Sequence, residues 1–274
     1  MIVDGKAIAE KIRASLREEI FKLNKSGKKI RLAVIKVSGD PVTEKYLKTK
    51  KNFAESIGVE VRVYEVLPDI STNKLREKVS EIVHIKENNG VIIQLPFPEK
   101  INIQYVLDAI IPEKDPDMLS SRSLGKFGTG KSRIFPPVVA AVNKIFKEYG
   151  VELKGKQVVV VGAGRLVGKP ITTWLLNQKA TISVIDENTP DVSNITLRAD
   201  VIISGVGKPG LIKPDMVKEG AVLIDCGTSE SSGQVRGDID PEAAKKASLF
   251  APVPGGVGPV TVAMLFKNLL ELSI

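Results

Sequence analysis

The feature of this chain that most constrains its fold is the alternation of short apolar segments with longer amphipathic ones. RLAVIKV at 31–37 and GVIIQLP at 90–96 are short and rich in β-branched residues, which is typical of buried strands. Between such segments, apolar residues recur every three or four positions, which is typical of helices. Parallel strands need a crossover long enough to hold a helix, so this order predicts an α/β protein with mostly parallel sheets.

The same alternation continues to the end of the sequence. The predicted helices are residues 4–25 behind an Asp4 cap, 44–57 behind a Thr43 cap, 71–88, 137–149, a segment ending near Gln178, and about 258–272. The predicted strands are residues 31–37, 59–66, 90–96, 158–161, 180–186, 201–207, 221–227 and 248–253. Residues 112–136 lack periodicity and are rich in glycine, serine and charged residues, which predicts a loop or a crossing between domains. A turn is predicted at residues 229–233.

The composition excludes several classes of protein. Cys226 is the single cysteine and His84 the single histidine, so the sequence offers no intrachain disulfide, no cysteine-cluster zinc site and no His-pair metal site. No apolar run approaches the roughly 18 to 20 residues that a membrane-spanning helix needs, and the first twenty residues lack the apolar core of a signal peptide. We therefore expect a cytoplasmic protein without a metal ion.

The net charge of +8 favours an anionic partner. Nucleic acid, a membrane surface and a small ligand carrying phosphates or carboxylates all fit this charge. A nucleic-acid-binding module would need a basic stripe interleaved with exposed aromatic side chains. Aromatic residues make up 5% of the chain and lie mostly in apolar runs, so we expect neither a nucleic-acid nor a membrane partner.

A glycine-rich turn follows the apolar strand 158–161. Gly162 and Gly164 match the beginning of a GxGxxG turn, and Gly168 stands one position later than the third glycine of that pattern. Small residues at the beginning of a helix let backbone N–H groups approach a pyrophosphate. Asp186 ends the next predicted strand, near the spacing expected for an acidic residue that bonds a ribose hydroxyl. The alternative is a tight strand-to-helix turn without a ligand.

Candidate chemistry in the first half rests on five residues. Tyr46 and Lys50 are four positions apart and share a helix face, where Lys50 is a candidate acid/base residue if burial lowers its pKa. Spacing alone favours a solvated lysine and a packing tyrosine. Gln94 ends a buried strand, where parallel sheets place ligand sites. Asp115 and Asp117 fit a metal ion, an amino-bearing heterocycle or a simple turn.

Five motifs in order resemble one family over nearly the whole chain, that of bifunctional methylenetetrahydrofolate dehydrogenase/methenyltetrahydrofolate cyclohydrolases. The substrate helix of that family carries a Tyr-x-x-x-Lys pair, and residues 39–50, GDPVTEKYLKTK, resemble it. The family also has a strand that ends in Gln-Leu-Pro-x-Pro, which residues 90–98, GVIIQLPFP, resemble. PEKDPDM resembles its Lys-Asp-x-Asp segment and GAGRLVGKP its cofactor turn. PVPGGVGPVTVAML, rich in glycine and proline before a helix, is similar to its closing motif.

The resemblance implies two α/β domains across a cleft, the second of them a Rossmann-like dinucleotide-binding domain. Residues 1–138 would form the folate-binding catalytic domain, with the C-terminal helix 261–274 packing back on it. Residues 139–260 would form the NAD(P)-binding domain. The implied reaction oxidises 5,10-methylenetetrahydrofolate with a nicotinamide dinucleotide and then hydrolyses the methenyl product to 10-formyltetrahydrofolate. The family is usually homodimeric, and no metal is implied.

The resemblance also implies roles for individual residues. Lys50 would be the acid/base residue of hydrolysis, Gln94 would hydrogen-bond Lys50, Tyr46 would stack on the folate, and Asp117 would bind the pterin donors. Thr43 stands where the family usually has serine. The other implied folate-pocket residues are Pro254, Gly255 and Gly256. The implied cofactor-binding residues are Gly162, Ala163, Gly164, Arg165, Val167, Asp186, Glu187, Val206, Gly207 and Thr228.

The sequence leaves NAD and NADP nearly balanced. The family commonly has Arg then Ser after the first glycine of the turn and His-Ser-Arg after the following strand. Here Ala163 and Gly164 replace the first pair, and Asp186 and Glu187 place carboxylates where a 2′-phosphate would lie. Electrostatics therefore favours NAD, whereas Arg165 and the family precedent favour NADP, towards which we lean. A monofunctional dehydrogenase of the same fold remains the alternative, although the presence of Lys50 and Gln94 argues against a lost cyclohydrolase.

Overall fold

The computed structural model describes residues 1–37, 41–231 and 234–274, and the side chains of residues 41–43, 45, 46, 230, 231 and 234 lie outside this description. The helices are α1 (Gly5–Lys25), α2 (Pro41–Ile57), α3 (Thr72–His84), α4 (Ile103–Leu107), α5 (Ser121–Gly128), α6 (Pro137–Tyr149), α7 (Gly168–Leu175), α8 (Val192–Thr196) and α9 (Val257–Ser273). The strands are β1 (Arg31–Val37), β2 (Glu60–Val66), β3 (Gly90–Ile93), β4 (Gln157–Val161), β5 (Thr181–Ile185), β6 (Val201–Ser204), β7 (Val222–Asp225), β8 (Ser229–Ser231), β9 (Gln234–Arg236) and β10 (Leu249–Ala251). Three short 3-10 helices cover Pro112–Lys114, Pro214–Met216 and Pro241–Lys245.

The chain divides into two compact units. The first unit comprises residues 10–137 and 262–274, and the second unit comprises residues 1–9 and 138–261. This division differs from the sequence expectation chiefly in residues 1–9, which the sequence had placed with the first domain. Val3 N–H donates to Phe250 O at 2.8 Å and Phe250 N–H donates to Met1 O at 2.9 Å, so this segment runs beside β10 of the second unit.

The first unit is built on a parallel sheet with the strand order β2-β1-β3. Because side chains alternate along a strand, β1 serves two cores. Ala33 and Ile35 pack into a cluster with residues of α3 and α4. Leu32 packs on the other side, in a cluster that includes Phe266 of α9. Both faces of the central strand are therefore covered, which accounts for its continuous apolar sequence.

The second unit is built on a five-stranded parallel sheet with the order β10-β7-β6-β4-β5. The chain enters at β4, goes to β5 on one side, and returns to β6 on the other side. This reversal makes a topological switch point between β4 and β6, and ligands of open α/β sheets bind at the carboxyl ends of strands at such a point. A buried cluster covers one face of the sheet, with Val159, Ile202 and Leu223 among its members.

The structure confirms the α/β class with parallel sheets and corrects several local expectations. Helix α2 already begins at Pro41, so Thr43 lies inside the helix and does not cap it. A proline fits the first helical turn because its missing N–H has no partner there anyway. The segment 112–136 contains α5, whose first turn is capped by Ser120. Ser229–Ser231 and Gln234–Arg236 form the antiparallel pair β8 and β9, whereas the sequence predicted a turn over residues 229–233.

Candidate active site

Lys50 and Gln94 meet at the carboxyl edge of the first sheet. Gln94 follows β3 directly, and its backbone N–H continues the ladder by donating to Ile35 O at 2.8 Å. Its buried side chain, 8% exposed, accepts a hydrogen bond from Lys50 Nζ at Oε1, at 2.8 Å. The Gln94 amide nitrogen donates to Leu95 O at 3.2 Å, which directs the amide oxygen towards the lysine. The structure thus contains the Lys50–Gln94 hydrogen bond that the family resemblance implied.

The two carboxylates of the Asp115–Asp117 segment have different environments. Asp115 is buried and accepts hydrogen bonds from the backbone N–H groups of Leu119 at 3.3 Å and Ser120 at 3.0 Å. It therefore forms the turn that spacing alone suggested for this segment. Burial raises the pKa of Asp115.

Asp117 is the carboxylate that is free to bind a ligand. Its side chain is half-buried and, within the described ranges, accepts no hydrogen bond. Burial raises the pKa of Asp117, while the positive charge of Lys50 lowers it, so the two groups interact electrostatically. A partly buried carboxylate without a donor is stabilised when a ligand supplies N–H groups.

Lys36 is a buried lysine that the sequence did not single out. It lies near the end of β1, is 3% exposed, and pairs with Glu65 of β2 at 3.0 Å and with Glu44 of α2. The hydrogen bond with Glu44 raises the pKa of Lys36 in spite of the opposing effect of burial. This pair ties the beginning of the helix that carries Lys50 to the sheet.

For the other residues predicted to bind folate, the structure describes only part of the environment. The side chains of Thr43 and Tyr46 lie outside the described part of the structure. Pro254, Gly255 and Gly256 follow β10 in the second unit, so their meeting with Lys50 stays a prediction. Gly255 has a φ of +101°, and a Cβ on Gly256 would lie 2.5 Å from Pro252 O, so both positions require glycine.

The glycine-rich turn lies at the carboxyl end of β4, beside the switch point of the second sheet. Gly162 has a φ of +95°, which favours glycine. A Cβ on Gly168 would lie 1.9 Å from Gly162 O, so the turn closes tightly on the first residue of α7. Ala163 and Gly164 are exposed, and a Cβ on Gly164 would meet nothing within 4 Å. The turn is therefore closed at its base and open at its tip.

The open tip fits an anionic group. The backbone N–H groups of residues 163–167 donate to no atom among the described residues. Unpaired N–H groups before a helix bind phosphates because they and the helix dipole favour negative charge. The residues present thus fit the pyrophosphate of a dinucleotide.

Other predicted cofactor residues lie at the same edge of the sheet. A Cβ on Gly162 would lie 2.9 Å from Val206 Cγ2, and a Cβ on Gly205 would lie 2.3 Å from Val167 Cγ1. A Cβ on Gly207 would lie 3.5 Å from Thr228 O. The loops after β4, β6 and β7 are thereby brought together.

The acidic residues after β5 are exposed, and one of them is already engaged locally. Asp186 Oδ1 accepts hydrogen bonds from Asn188 N–H at 2.9 Å and from Thr189 Oγ1 at 3.3 Å. Glu187 is exposed beside it. Arg165 is half-buried and forms no ion pair with any described carboxylate, so its positive charge is not neutralised within the described ranges.

Two buried aspartates behind these loops were missed by the sequence reading. Asp225 ends β7 and Asp238 follows β9, and both are at most 1% exposed. Asp225 Oδ1 accepts from Gly227 N–H at 3.0 Å and from Asp238 N–H at 3.1 Å, and its Oδ2 accepts from Ile239 N–H at 2.9 Å. An aspartate at the end of an apolar strand and a Gly-Asp pair soon after it were the available signals.

Asp225 makes the stability of the protein depend on pH. Burial, with added repulsion from Asp238, raises the pKa of Asp225 to about 6. The native state therefore holds this proton more tightly than the unfolded chain does, and the resulting stabilisation is present below about pH 4 and is lost as pH rises to about 6. A shift of this size corresponds to about 3 kcal/mol.

We expect urea unfolding between pH 4 and pH 6 to show a larger loss in the native sequence than in Asp225→Asn, which has no proton to release at this position. Asp115 and Asp117, whose pKa values are also raised, contribute equally in both proteins. Asp240→Asn is the matched control, because Asp240 is partly exposed and accepts one bond from Glu242 N–H. An Asp225→Asn variant with the native slope over this pH range would contradict the assignment.

Neither a membrane-spanning helix nor a metal cluster is found in the described ranges. No helix of residues 1–37, 41–231 and 234–274 is long and apolar enough to cross a membrane. The same residues contain no group of three or more His, Cys, Asp or Glu side chains arranged to hold a metal ion.

The fold and the two sites define a class of protein. The first parallel sheet has a Lys–Gln pair at its carboxyl edge and a carboxylate that interacts electrostatically with this lysine. The second sheet has an anion-binding turn at its switch point. Together they define an α/β enzyme with a Rossmann-like nucleotide-binding unit. Known proteins narrow this class. Residues 3–117 match the model of the tetrahydrofolate dehydrogenase/cyclohydrolase catalytic domain, and residues 136–273 match that of the NAD(P)-binding domain of the same family.

Individual relatives agree with the family models. The bifunctional protein FolD of Nautilia profundicola is 42% identical over 99% of this chain and 96% of its own length. The crystal structure of the FolD dehydrogenase/cyclohydrolase from Campylobacter jejuni is 37% identical, with a TM-score of 0.95 over 100% of this chain and 98% of that one. The FolD structure from Trypanosoma brucei, complexed with NADP and an inhibitor, is 33% identical, with a TM-score of 0.94 over 100% and 97% of the two chains.

The chain belongs to the tetrahydrofolate dehydrogenase/cyclohydrolase family. It is an enzyme with both activities, a methylenetetrahydrofolate dehydrogenase and a methenyltetrahydrofolate cyclohydrolase. Its first unit contains most of the match to the catalytic domain, and its second unit most of the match to the NAD(P)-binding domain.

Proposed function

We propose that Lys50 is the acid/base residue of the cyclohydrolase reaction and that Gln94 positions it. The supporting observation is the 2.8 Å hydrogen bond from Lys50 Nζ to Gln94 Oε1 at the carboxyl edge of the first sheet. After giving up its own proton to solvent, Lys50 takes a proton from the water whose oxygen adds to the methenyl carbon. The same nitrogen then returns that proton to the ring nitrogen as the bond from this nitrogen to the carbon breaks. The hydroxyl on the carbon loses its remaining proton to solvent and becomes the carbonyl of the 10-formyl product.

Asp117 binds the pterin of the folate in this proposal. Its carboxylate accepts no hydrogen bond within the described ranges and lies within electrostatic range of Lys50. A carboxylate matches two adjacent N–H donors of a heterocycle, since its two oxygens accept in parallel. Tyr46 stacks on the folate, and the remaining pocket residues are Thr43, Pro254, Gly255 and Gly256.

The dinucleotide is held by the carboxyl edge of the second sheet. The bound nicotinamide accepts the hydride that the one-carbon bridge of the folate gives up. The N–H groups of residues 163–167 bind the pyrophosphate, and their unused donors support this assignment. The other residues proposed to contact the dinucleotide are Gly162, Asp186, Glu187, Val206, Gly207 and Thr228. A homodimer and a cytoplasmic location complete the proposal and rest on the family resemblance.

NADP is the proposed dinucleotide. The un-neutralised charge of Arg165 and the NADP complex of the Trypanosoma brucei relative support it. One specific observation favours NAD as a second candidate: Asp186 and Glu187 are exposed carboxylates after β5, where they would repel a 2′-phosphate.

Hydride-transfer kinetics with the two dinucleotides at the same saturating folate concentration distinguish them. We expect a higher kcat/KM with NADP, and Arg165→Ala should lower that value without lowering the value for NAD. Arg198→Ala is the control, because Arg198 is exposed at the opposite end of the sheet, before β6. A tenfold or larger preference for NAD, about 1.4 kcal/mol, would overturn the NADP proposal.

A further inference from the structure

The Asp238 carboxylate accepts four hydrogen bonds from the end of β6 and the loop that follows it. Its Oδ2 accepts from Ser204 Oγ at 2.8 Å and from Val206 N–H at 2.7 Å. Its Oδ1 accepts from Gly207 N–H at 2.9 Å and from Lys208 N–H at 2.8 Å. Three successive backbone N–H groups thus converge on one carboxylate that is fully buried.

Only a carboxylate satisfies this arrangement. Four donors need four acceptor positions, which two ionised oxygens provide. An asparagine of the same shape would turn an NH2 group towards two of the donors, and at least one backbone N–H would then have no acceptor. Leaving a buried donor unsatisfied is costly, so the loop would have to move. The conformation of residues 206–208 therefore depends on the Asp238 charge.

The position of the Asp238 side chain is restricted by contacts with residues of the β7 end. Its own N–H donates to Asp225 Oδ1 at 3.1 Å. A Cβ built on Gly227 would lie 2.1 Å from Asp238 Cγ, so the carboxylate is closely packed. The ends of β6 and β7 are joined through these two aspartates, and the Asp238 carboxylate has little freedom to shift.

The loop held by Asp238 contacts the glycine-rich turn. Val206 Cγ2 lies 2.9 Å from a Cβ placed on Gly162, and Val167 Cγ1 lies 2.3 Å from a Cβ placed on Gly205. A movement of the loop would therefore change the turn that offers the free N–H groups. We propose that Asp238 is a positioning residue for the dinucleotide, acting through residues 205–208, an inference that rests on the proposed assignment of this edge to the cofactor.

Asp238→Asn tests the proposal in the full-length protein. We expect calorimetric titration to show dinucleotide binding about tenfold weaker or worse, and KM for the dinucleotide to rise to the same extent. In the ligand-free variant, amide hydrogen exchange at residues 206–208 should be faster. Hydrolysis of methenyltetrahydrofolate uses no dinucleotide, so its kcat/KM should stay within twofold of the native value.

Two further variants separate positioning from general damage. Asp240→Asn changes a neighbouring carboxylate outside the site and should leave dinucleotide binding unchanged. Ser204→Ala removes one of the four donors and keeps the Asp238 charge, so it should fold even if Asp238→Asn does not. We expect it to weaken dinucleotide binding by about threefold.

Gly164→Asp distinguishes failure of this inference from failure of the cofactor assignment. Its side chain meets open space and places a negative charge at the tip of the turn, so it should weaken dinucleotide binding if the pyrophosphate lies there. Unchanged binding in folded Asp238→Asn and Ser204→Ala, with weaker binding in Gly164→Asp, would overturn the positioning role alone. Unchanged binding in all three would overturn the cofactor assignment as well.

Discussion

Lys50→Met is expected to abolish hydrolysis of methenyltetrahydrofolate, with a fall in kcat of about 1000-fold or more. Methionine fills a similar volume and cannot accept or donate the proton, and acid/base catalysis by one side chain contributes roughly 100- to 10,000-fold. Oxidation of methylenetetrahydrofolate should fall much less, because hydride transfer to the dinucleotide does not require a proton on this side chain. Spectroscopic assays of the two steps on the same preparation measure this difference.

The control for this experiment is Lys51→Met. Lys51 is exposed on the same helix, so this variant removes the same charge one position away and should retain both activities. Lys50→Arg keeps the charge at position 50 in a group that does not release its proton near neutral pH. Hydrolysis that persists in Lys50→Met, or that is restored in Lys50→Arg, would refute an acid/base role for Lys50.

Asp117→Asn is expected to impair both activities together. The amide keeps the size of the side chain and loses one acceptor oxygen and the charge, so a pterin bound through two N–H groups loses a charge-assisted bond. Hydrogen bonds to charged groups contribute about 1.5–3 kcal/mol, which corresponds to a rise in folate KM of roughly 10- to 150-fold. Initial rates over a range of folate concentrations, for each reaction, give the two KM values.

Glu113→Gln is the matched control for Asp117→Asn. Glu113 is exposed four positions earlier and pairs with Lys126 at 3.1 Å, so its neutralisation should leave both KM values unchanged. A folate KM unaffected in Asp117→Asn would contradict pterin binding at this carboxylate. Loss of one activity with the other intact would also contradict it, because both reactions use the same pterin.

The architecture was predictable because its signals are local. Strands such as β1 and β4 are short apolar runs, and the helices between them repeat their apolar residues with helical spacing, so alternation alone indicated parallel α/β sheets. The sequence also predicted the tight glycine-rich turn of the cofactor site, because such a strand-to-helix turn has no room for side chains at Gly162 and Gly168. Lys50 and Gln94 became site candidates mainly through the motifs that surround them.

The features that the sequence did not predict depend on contacts between residues that are far apart in the chain. Asp225 and Asp238 are thirteen positions apart. Only the folded structure shows that the Asp225 carboxylate accepts a hydrogen bond from the backbone N–H of Asp238. Lys36 stands in a strand that reads as apolar, so its burial between Glu44 and Glu65 had no local signal. Contacts group residues 1–9 with the second unit, whereas the sequence grouped them with the first domain, because periodicity does not show where a helix passes from one unit to another.

The composition of the first unit has a consequence for how the protein folds during synthesis. Phe266 and Leu269 of α9 belong to the same core as Leu32 of β1, and Phe266 stacks on Phe53 with ring centroids 5.3 Å apart. These residues leave the ribosome only after the whole of residues 138–261. The nascent first unit therefore keeps the part of this core that α9 covers exposed while the second unit is translated, a state in which exposed apolar surface favours chaperone binding and aggregation.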